Sequence, residues 1–249
     1  MCFNAVVRMQ TGFQLFGPEH LAVIAIVPAL AAFLAITRRH FPRAAKPIRY
    51  ALAFLLLVCT VSYYGNWFVH GERMFPDHVP LELCDIALWL VIGTMLTLNR
   101  AIFDVAYYWA LIGTALAVVT PNLTNPSLFL EVQFFADHGL IVVAVLYLLW
   151  SGELRPRRGS VVRSLMVLNV LAALVGAFDF IYKTNYMFLR RKPDGETLMN
   201  LLGPWPWYIA VCEGLGLLLF PLLYLPFWRR PAGVPAIQAE CEAEVPAAQ

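Results

Sequence analysis

Charge is scarce in this 249-residue chain: Asp, Glu, Lys and Arg make up 14% of it, where about 25% is usual for a soluble domain. With 60% hydrophobic residues and a mean hydropathy of +0.68, the scarcity excludes a soluble globule of this size. Period-2 alternation of apolar and polar residues is also missing, which excludes an outer-membrane β-barrel. No basic stripe with interleaved aromatics points to nucleic acid, and the net charge of +2 carries no information about partners. The five cysteines, Cys2, Cys59, Cys84, Cys212 and Cys241, show neither metal-ligand spacing nor a paired framework. His20, His40, His70 and His78 share no spacing, so neither a metal nor a cofactor is expected. The chain has no phosphate-binding loop, no internal repeat and no second domain.

What it does have is seven apolar stretches separated by Pro, Gly and charge clusters, at about 19–37, 48–70, 81–98, 101–119, 134–151, 160–182 and 205–228. Each approaches the roughly 17 to 25 residues a transmembrane helix needs. The expected fold is all-α: a polytopic bundle of seven transmembrane helices over residues 1–230, followed by a disordered cytoplasmic tail, Pro231–Gln249, rich in Ala, Glu and Pro. The first stretch does not read as a signal peptide, because its basic cluster, Arg38 and Arg39, follows the apolar run and only Arg8 precedes it.

Orientation follows from the excess of Lys and Arg in cytoplasmic loops. With the N-terminus outside, the inner side collects Arg38, Arg39, Arg43, Lys46, Arg49, Arg100, Arg155, Arg157, Arg158, Arg163, Arg229 and Arg230. The outer side holds Arg8, Arg73, Lys183, Arg190, Arg191 and Lys192. Twelve against six favours an external N-terminus and a cytoplasmic C-terminus, although the run Arg190–Lys192 works against it.

Depth can be read from the helical rise of about 1.5 Å per residue, counted from the cytoplasmic end of each span. Cys84 lies fifteen residues from Asn99 and His138 fifteen from Glu153, so each stands roughly 22 Å up. By the same ruler Asn66, Asp179 and Glu213 fall at roughly 24 to 26 Å, and Asp85 and His20 lie within a turn of that layer. Ionisable residues inside spans are costly and mark functional sites. A polar pocket near the outer face is therefore expected, roofed by the turn-rich segment Thr120–Pro126 and the aromatic segment Leu202–Tyr208.

Four strings carry a resemblance: Leu81-Glu82-Leu83-Cys84-Asp85, Glu131 through Gly139, Thr184 through Leu189, and Gly203 through Tyr208. In order and over about Phe13 to Trp228, they resemble the YwaF-type family of bacterial integral membrane proteins, which implies a multi-pass protein of the bacterial inner membrane. The cysteine motif and the Glu-x6-His motif are more distantly similar to those of the eukaryotic acyltransferase transmembrane protein 164. That similarity implies acyl transfer between phospholipids, with Cys84 and His138 as the catalytic pair and membrane lipids as acyl donor and lysolipid acceptor.

The chemistry suits those residue types. A thiolate attacks an ester, an imidazole takes the thiol proton and returns it to the leaving oxygen, and a helix N-terminus stabilises the sulfur anion. Asp85, Asp179 or Glu213 is placed to orient His138, and Asn66, Asn122 or Asn185 to hold the oxyanion; the sequence does not choose among them. Competing readings are a Cys84–Cys212 disulfide, a structural hydrogen bond for His138, and ion pairs of Asp179 and Glu213 with Lys183 or Arg190. At the level of function the alternatives are a noncatalytic membrane receptor or assembly factor and a small-molecule transporter, the latter disfavoured by the absence of a repeat.

Overall fold

Pro18 opens the first helix of the chain, where its missing amide hydrogen costs nothing. The computed structural model describes residues 13–123, 126–193 and 198–228, and every regular element within them is helical. The expected tail, Pro231–Gln249, lies outside the described residues, as do Cys2, Arg8, Thr124, Asn125, Arg229, Arg230 and Cys241.

Helix α1 (Pro18–His40) carries Glu19 in its first turn and Arg38, Arg39 and His40 in its last, matching the helix dipole at both ends. After one tight turn at Pro42–Ala44 comes α2 (Ala45–Val69). Helix α3 (Leu83–Thr97) starts at a capping box: the Glu82 carboxylate accepts the Asp85 amide, and Asp85 Oδ2 accepts the Glu82 N–H at 3.2 Å. It ends at Leu98, which adopts a left-handed conformation (φ 54°). Asn99 then accepts the Ala101 and Ile102 amides and starts α4 (Arg100–Tyr108). This helix runs through a π-helical turn, Trp109–Thr114, into α5 (Ala115–Val119). Helix α6 (Leu128–Trp150) begins six residues earlier than the expected boundary, because Ser127 Oγ caps it by accepting the Leu130 N–H at 3.3 Å. Helices α7 (Ser160–Tyr182) and α8 (Trp207–Tyr224) complete the order.

Six helical segments are long and apolar enough to cross a membrane, at 18–40, 42–69, 100–119, 128–150, 160–182 and 207–227. The expected count was seven. The difference is α3, which has 15 residues and so extends about 22 Å, against roughly 30 Å of hydrocarbon. Its capping box and the left-handed stop at Leu98 bound it on both sides. Paired with the longer α4–α5 hairpin partner, the first turn of α3 is recessed below the level its neighbours reach.

Helix α6 is the hub, packed by α1, α2, α3, α5 and the π-helical turn. Against it α1 presents a buried stripe of Val27, Ala31 and Ala35, the kind of small-residue seam by which membrane helices approach closely. A Cβ at Gly139 would lie 3.1 Å from Val27 Cγ2. Gly139→Val should therefore force α1 and α6 apart and cost about 1–3 kcal/mol, seen as a lower melting temperature in detergent. An unchanged melting temperature would contradict this close contact. On the periphery Phe54 and Val61 of α2, Val170 and Leu174 of α7, and Leu218 of α8 are exposed. An apolar surface of this extent suits lipid and not water.

One end of the bundle gathers the basic residues. Glu153 pairs with Arg38 and Arg49 at 3.5 and 3.4 Å and accepts a hydrogen bond from Tyr147 Oη. Asp104, fully buried, accepts from the Arg157 N–H at 3.0 Å and Nε at 2.8 Å, and pairs with Arg163. These clusters join α1, α2 and α6 in the first case and α4 and α7 in the second, and hold that end closed.

Candidate active site

At the opposite end, α2, α3 and α6 pack on one another in pairs, and Cys84 opens into their junction as the second residue of α3. The thiol is free and partly buried, and Cys212 on the exposed face of α8 is free as well, so no disulfide joins them. The carboxylates within electrostatic range of Cys84 are Asp85, Glu82 and Asp137. Asp137, one residue before His138 on α6, also reaches Asp85 and Cys59, and its Oδ1 is buried with no hydrogen-bond partner among the described residues. From α2, Tyr63 and Tyr64 come within electrostatic range of both Asp85 and Cys84. Two first-turn amides of α3, those of Leu83 and Cys84, are left without intrahelical partners by the geometry of a helix start.

His138 is 8% exposed, on the tenth residue after the start of α6, hence about 15 Å down that helix. Its ring stacks on Phe134 with centroids 4.1 Å apart, and Nδ1 lies 2.8 Å from the Phe134 carbonyl oxygen. A carbonyl only accepts, so Nδ1 carries the proton and Nε2 presents a lone pair. No hydrogen bond joins His138 to Cys84, Asp85, Asp179 or Glu213. The orienting group is a backbone carbonyl one turn earlier on the same helix.

Above the junction two loops clasp each other. Buried Asp179 organises one of them, its Oδ1 accepting from Thr184 Oγ1 at 2.7 Å and the Tyr186 N–H at 2.9 Å. Tyr186 then reaches across: its hydroxyl donates to the Pro76 carbonyl at 2.7 Å and accepts the Val79 N–H at 2.8 Å. Glu82 Oε2 accepts the Met187 N–H at 2.9 Å, tying the same loop to the cap of α3. The stacked rings of Trp67 and His78, 4.2 Å apart, fasten the other loop to α2. Tyr186→Phe should speed hydrogen exchange of the Val79 amide by about tenfold, the loss of roughly 1.4 kcal/mol of local stability. Exchange at the wild-type rate would mean that Tyr186 does not hold the roof.

The remaining expected site residues divide. Asn185 is occupied within its loop, its Oδ1 accepting from the Arg190 and Arg191 amides and its Nδ2 donating to the Arg191 carbonyl. Asn66 is partly buried on α2 and Asn122 exposed in the loop before α6, and neither side chain makes a hydrogen bond among the described residues. Glu213 does not join the layer: Asn169 Nδ2 donates to it at 2.8 Å, and Asn169 stands nine residues, about 14 Å, along α7 from Ser160. His20 uses both nitrogens on backbone, Nδ1 accepting the Phe16 N–H at 3.0 Å and Nε2 lying 2.8 Å from the Val118 carbonyl oxygen. The aromatic segment before α8 binds the roof, through Trp205 Nε1 to the Leu189 carbonyl at 3.1 Å and Tyr208 Oη to Phe188.

Glu82, Asp137, Tyr63, Tyr64 and Tyr186 were not among the residues singled out by the sequence. Glu82 and Asp137 stand beside the flagged Cys84 and His138, and adjacency was the available signal. Tyr186 lay within the string Thr184–Leu189, but for Tyr63 and Tyr64 there was no signal, since aromatic residues in spans are common.

No curated protein and no solved structure matches the chain. The model of the TMEM164 family matches residues 15–224, a stretch that contains α1 through α8 and every residue of the junction and its roof, and the chain belongs to that family.

Proposed function

We propose that this protein is a phospholipid acyltransferase that forms an acyl thioester on Cys84 with His138 as its base, a YwaF-type member of its family in the bacterial inner membrane. The basic end faces the cytoplasm in this reading and the junction opens to the outer leaflet. The observation that carries it is the state of the two side chains. A free thiol opens the recessed first turn of α3, and the packed neighbour α6 holds a buried imidazole whose Nδ1 proton is engaged by Phe134. That leaves Nε2 as the only atom of the ring able to take a proton.

Because the charges nearest Cys84 are carboxylates, the thiol proton passes to Nε2 as sulfur attacks the ester carbonyl, in one coupled step. The tetrahedral oxyanion is met by the free amides at the start of α3, where the helix dipole favours negative charge. Collapse breaks the ester C–O bond, Nε2 returns the proton to the departing lysolipid oxygen, and the acyl chain stays on sulfur. A second lysolipid hydroxyl then gives its proton to Nε2 and attacks the thioester; the C–S bond breaks and Nε2 returns that proton to sulfur, regenerating the thiol.

The test is labelling of the purified chain in lipid with an alkyne fatty-acyl phospholipid, comparing wild type, Cys84→Ser and His138→Ala after a reducing wash. A hydroxylamine-sensitive adduct that requires Cys84 is the expected result. No adduct on folded wild type, or one indifferent to Cys84→Ser, overturns the reading in favour of a receptor or transporter.

A further inference from the structure

Asn169 and Glu213 form a polar pair that the thioester chemistry leaves unused. Asn169 is the tenth of the 23 residues of α7 and Glu213 the seventh of the 18 of α8, so both stand well inside segments apolar enough to cross a membrane. Asn169 is exposed and Glu213 half-buried. The side chains beside them, Met166, Val170 and Leu217, are exposed and apolar, as lipid-facing residues are. Asn169 Nδ2 donates to Glu213 Oε1 at 2.8 Å and to the Leu165 carbonyl at 3.0 Å. Asn169 Oδ1 and Glu213 Oε2 make no hydrogen bond among the described residues. Hydrocarbon offers neither donor nor acceptor, so such atoms on a lipid-facing surface are costly unless protein covers them.

We propose that this side of the α7–α8 hairpin is a homodimer interface, at which Asn169 of one copy hydrogen-bonds Glu213 of a second. The proposal is independent of the chemistry at Cys84.

The donor that Glu213 Oε2 lacks has to arrive at the depth of Glu213 and has to come from protein. A second copy inserted in the same orientation supplies it by symmetry. About a two-fold axis along the membrane normal the same residues meet at the same level, and each contact is made twice. Asn169 gives that hydrogen bond at little loss. The Leu165 carbonyl that takes its second N–H is also the helical acceptor of the Asn169 amide, so releasing it leaves no carbonyl unpaired. The pair is thus self-complementary, with a side-chain amide that donates and a carboxylate that accepts.

The surface around the pair permits the approach. Asn169, Ala173 and Ala177 recur at every fourth residue of α7 and are all exposed. Ala210 and Gly214 repeat that spacing on α8, both exposed, and a Cβ at Gly214 would meet nothing within 4 Å. Small residues four apart are what let membrane helices pack closely. This face turns away from the core, which α7 meets through Ser164, Leu168 and Val175, and α7 is the least buried of the six long apolar helices.

The experiment uses the full chain with one fluorophore per copy, reconstituted in phosphatidylcholine vesicles at a series of protein-to-lipid ratios, with photobleaching steps counted. Wild type is expected to pass from one step to two as its density in the membrane rises. Asn169→Leu, Glu213→Leu and Gly214→Leu should each raise the density at half-dimerisation by about tenfold. Glu213→Gln keeps an oxygen acceptor for Asn169 and should dimerise within about threefold of wild type. Gly214→Leu adds bulk on the open surface and leaves both polar residues in place, so it reports on the interface separately from the bond between α7 and α8. Melting temperatures confirm that each variant is folded. Single steps at every density, or a dimer whose midpoint none of the three leucine substitutions moves, would overturn the proposal.

Discussion

His138→Ala is expected to slow acylation of Cys84 by about 100- to 10,000-fold, the usual contribution of a positioned acid–base group, without changing the amount of folded protein. The argument turns on one atom. Phe134 engages Nδ1, so Nε2 has the lone pair, and no carboxylate hydrogen-bonds to the ring to share the role. His138→Gln separates base from packing: the amide fills a similar volume and keeps a donor for the Phe134 carbonyl, but accepts no proton at catalytic pH. Its melting temperature should match wild type while its acylation rate falls as far as that of the alanine variant. Full activity in His138→Gln would show that the imidazole only packs against Phe134. The rates are read as growth of the hydroxylamine-sensitive adduct under single-turnover conditions.

The largest effect on stability is expected from Asp104→Ala, at the other end of the molecule. Its fully buried carboxylate accepts from the Arg157 N–H and Nε and pairs with Arg163. Hydrogen bonds to charged groups contribute about 1.5–3 kcal/mol each, though not additively. Both arginines keep part of their solvent exposure and so rehydrate, which limits the cost to about 3 kcal/mol. In a chain of this length that lowers the melting temperature by about 10 °C. Asp104→Asn, which keeps an acceptor for the Arg157 amide, should lose less. Below the melting transition, acylation per folded molecule should be unchanged, because the cluster is remote from the junction. A melting temperature within a degree of wild type would mean that α4 and α7 are held by apolar packing alone.

Membership of the TMEM164 family agrees with the similarity to transmembrane protein 164 carried by the strings around Cys84 and His138, and the helical architecture with the all-α expectation. The other polar residues were less legible, each for a local reason. Asp179 and Glu213 have the same standing in the sequence, as acids high in a span, yet Asp179 folds the roof loop while Glu213 bonds Asn169. A ruler laid along one helix gives that helix's own depth, and α7 and α8 are offset along their axes. Asn185 was a fair candidate to hold an oxyanion until its own loop closed around its amide.

By itself the sequence determined that this is a helical membrane protein and roughly where its long apolar helices run. Those properties depend on hydropathy and rise per residue, which are local. The tertiary structure decided that α3 is too short to span, so that Cys84 sits on a recessed helix start, and that His138 is oriented by its own helix. It also decided that Tyr186 and Glu82 lock two distant loops above them. These depend on the relative offset and rotation of neighbouring helices, which side-chain packing across the bundle sets and no single segment encodes.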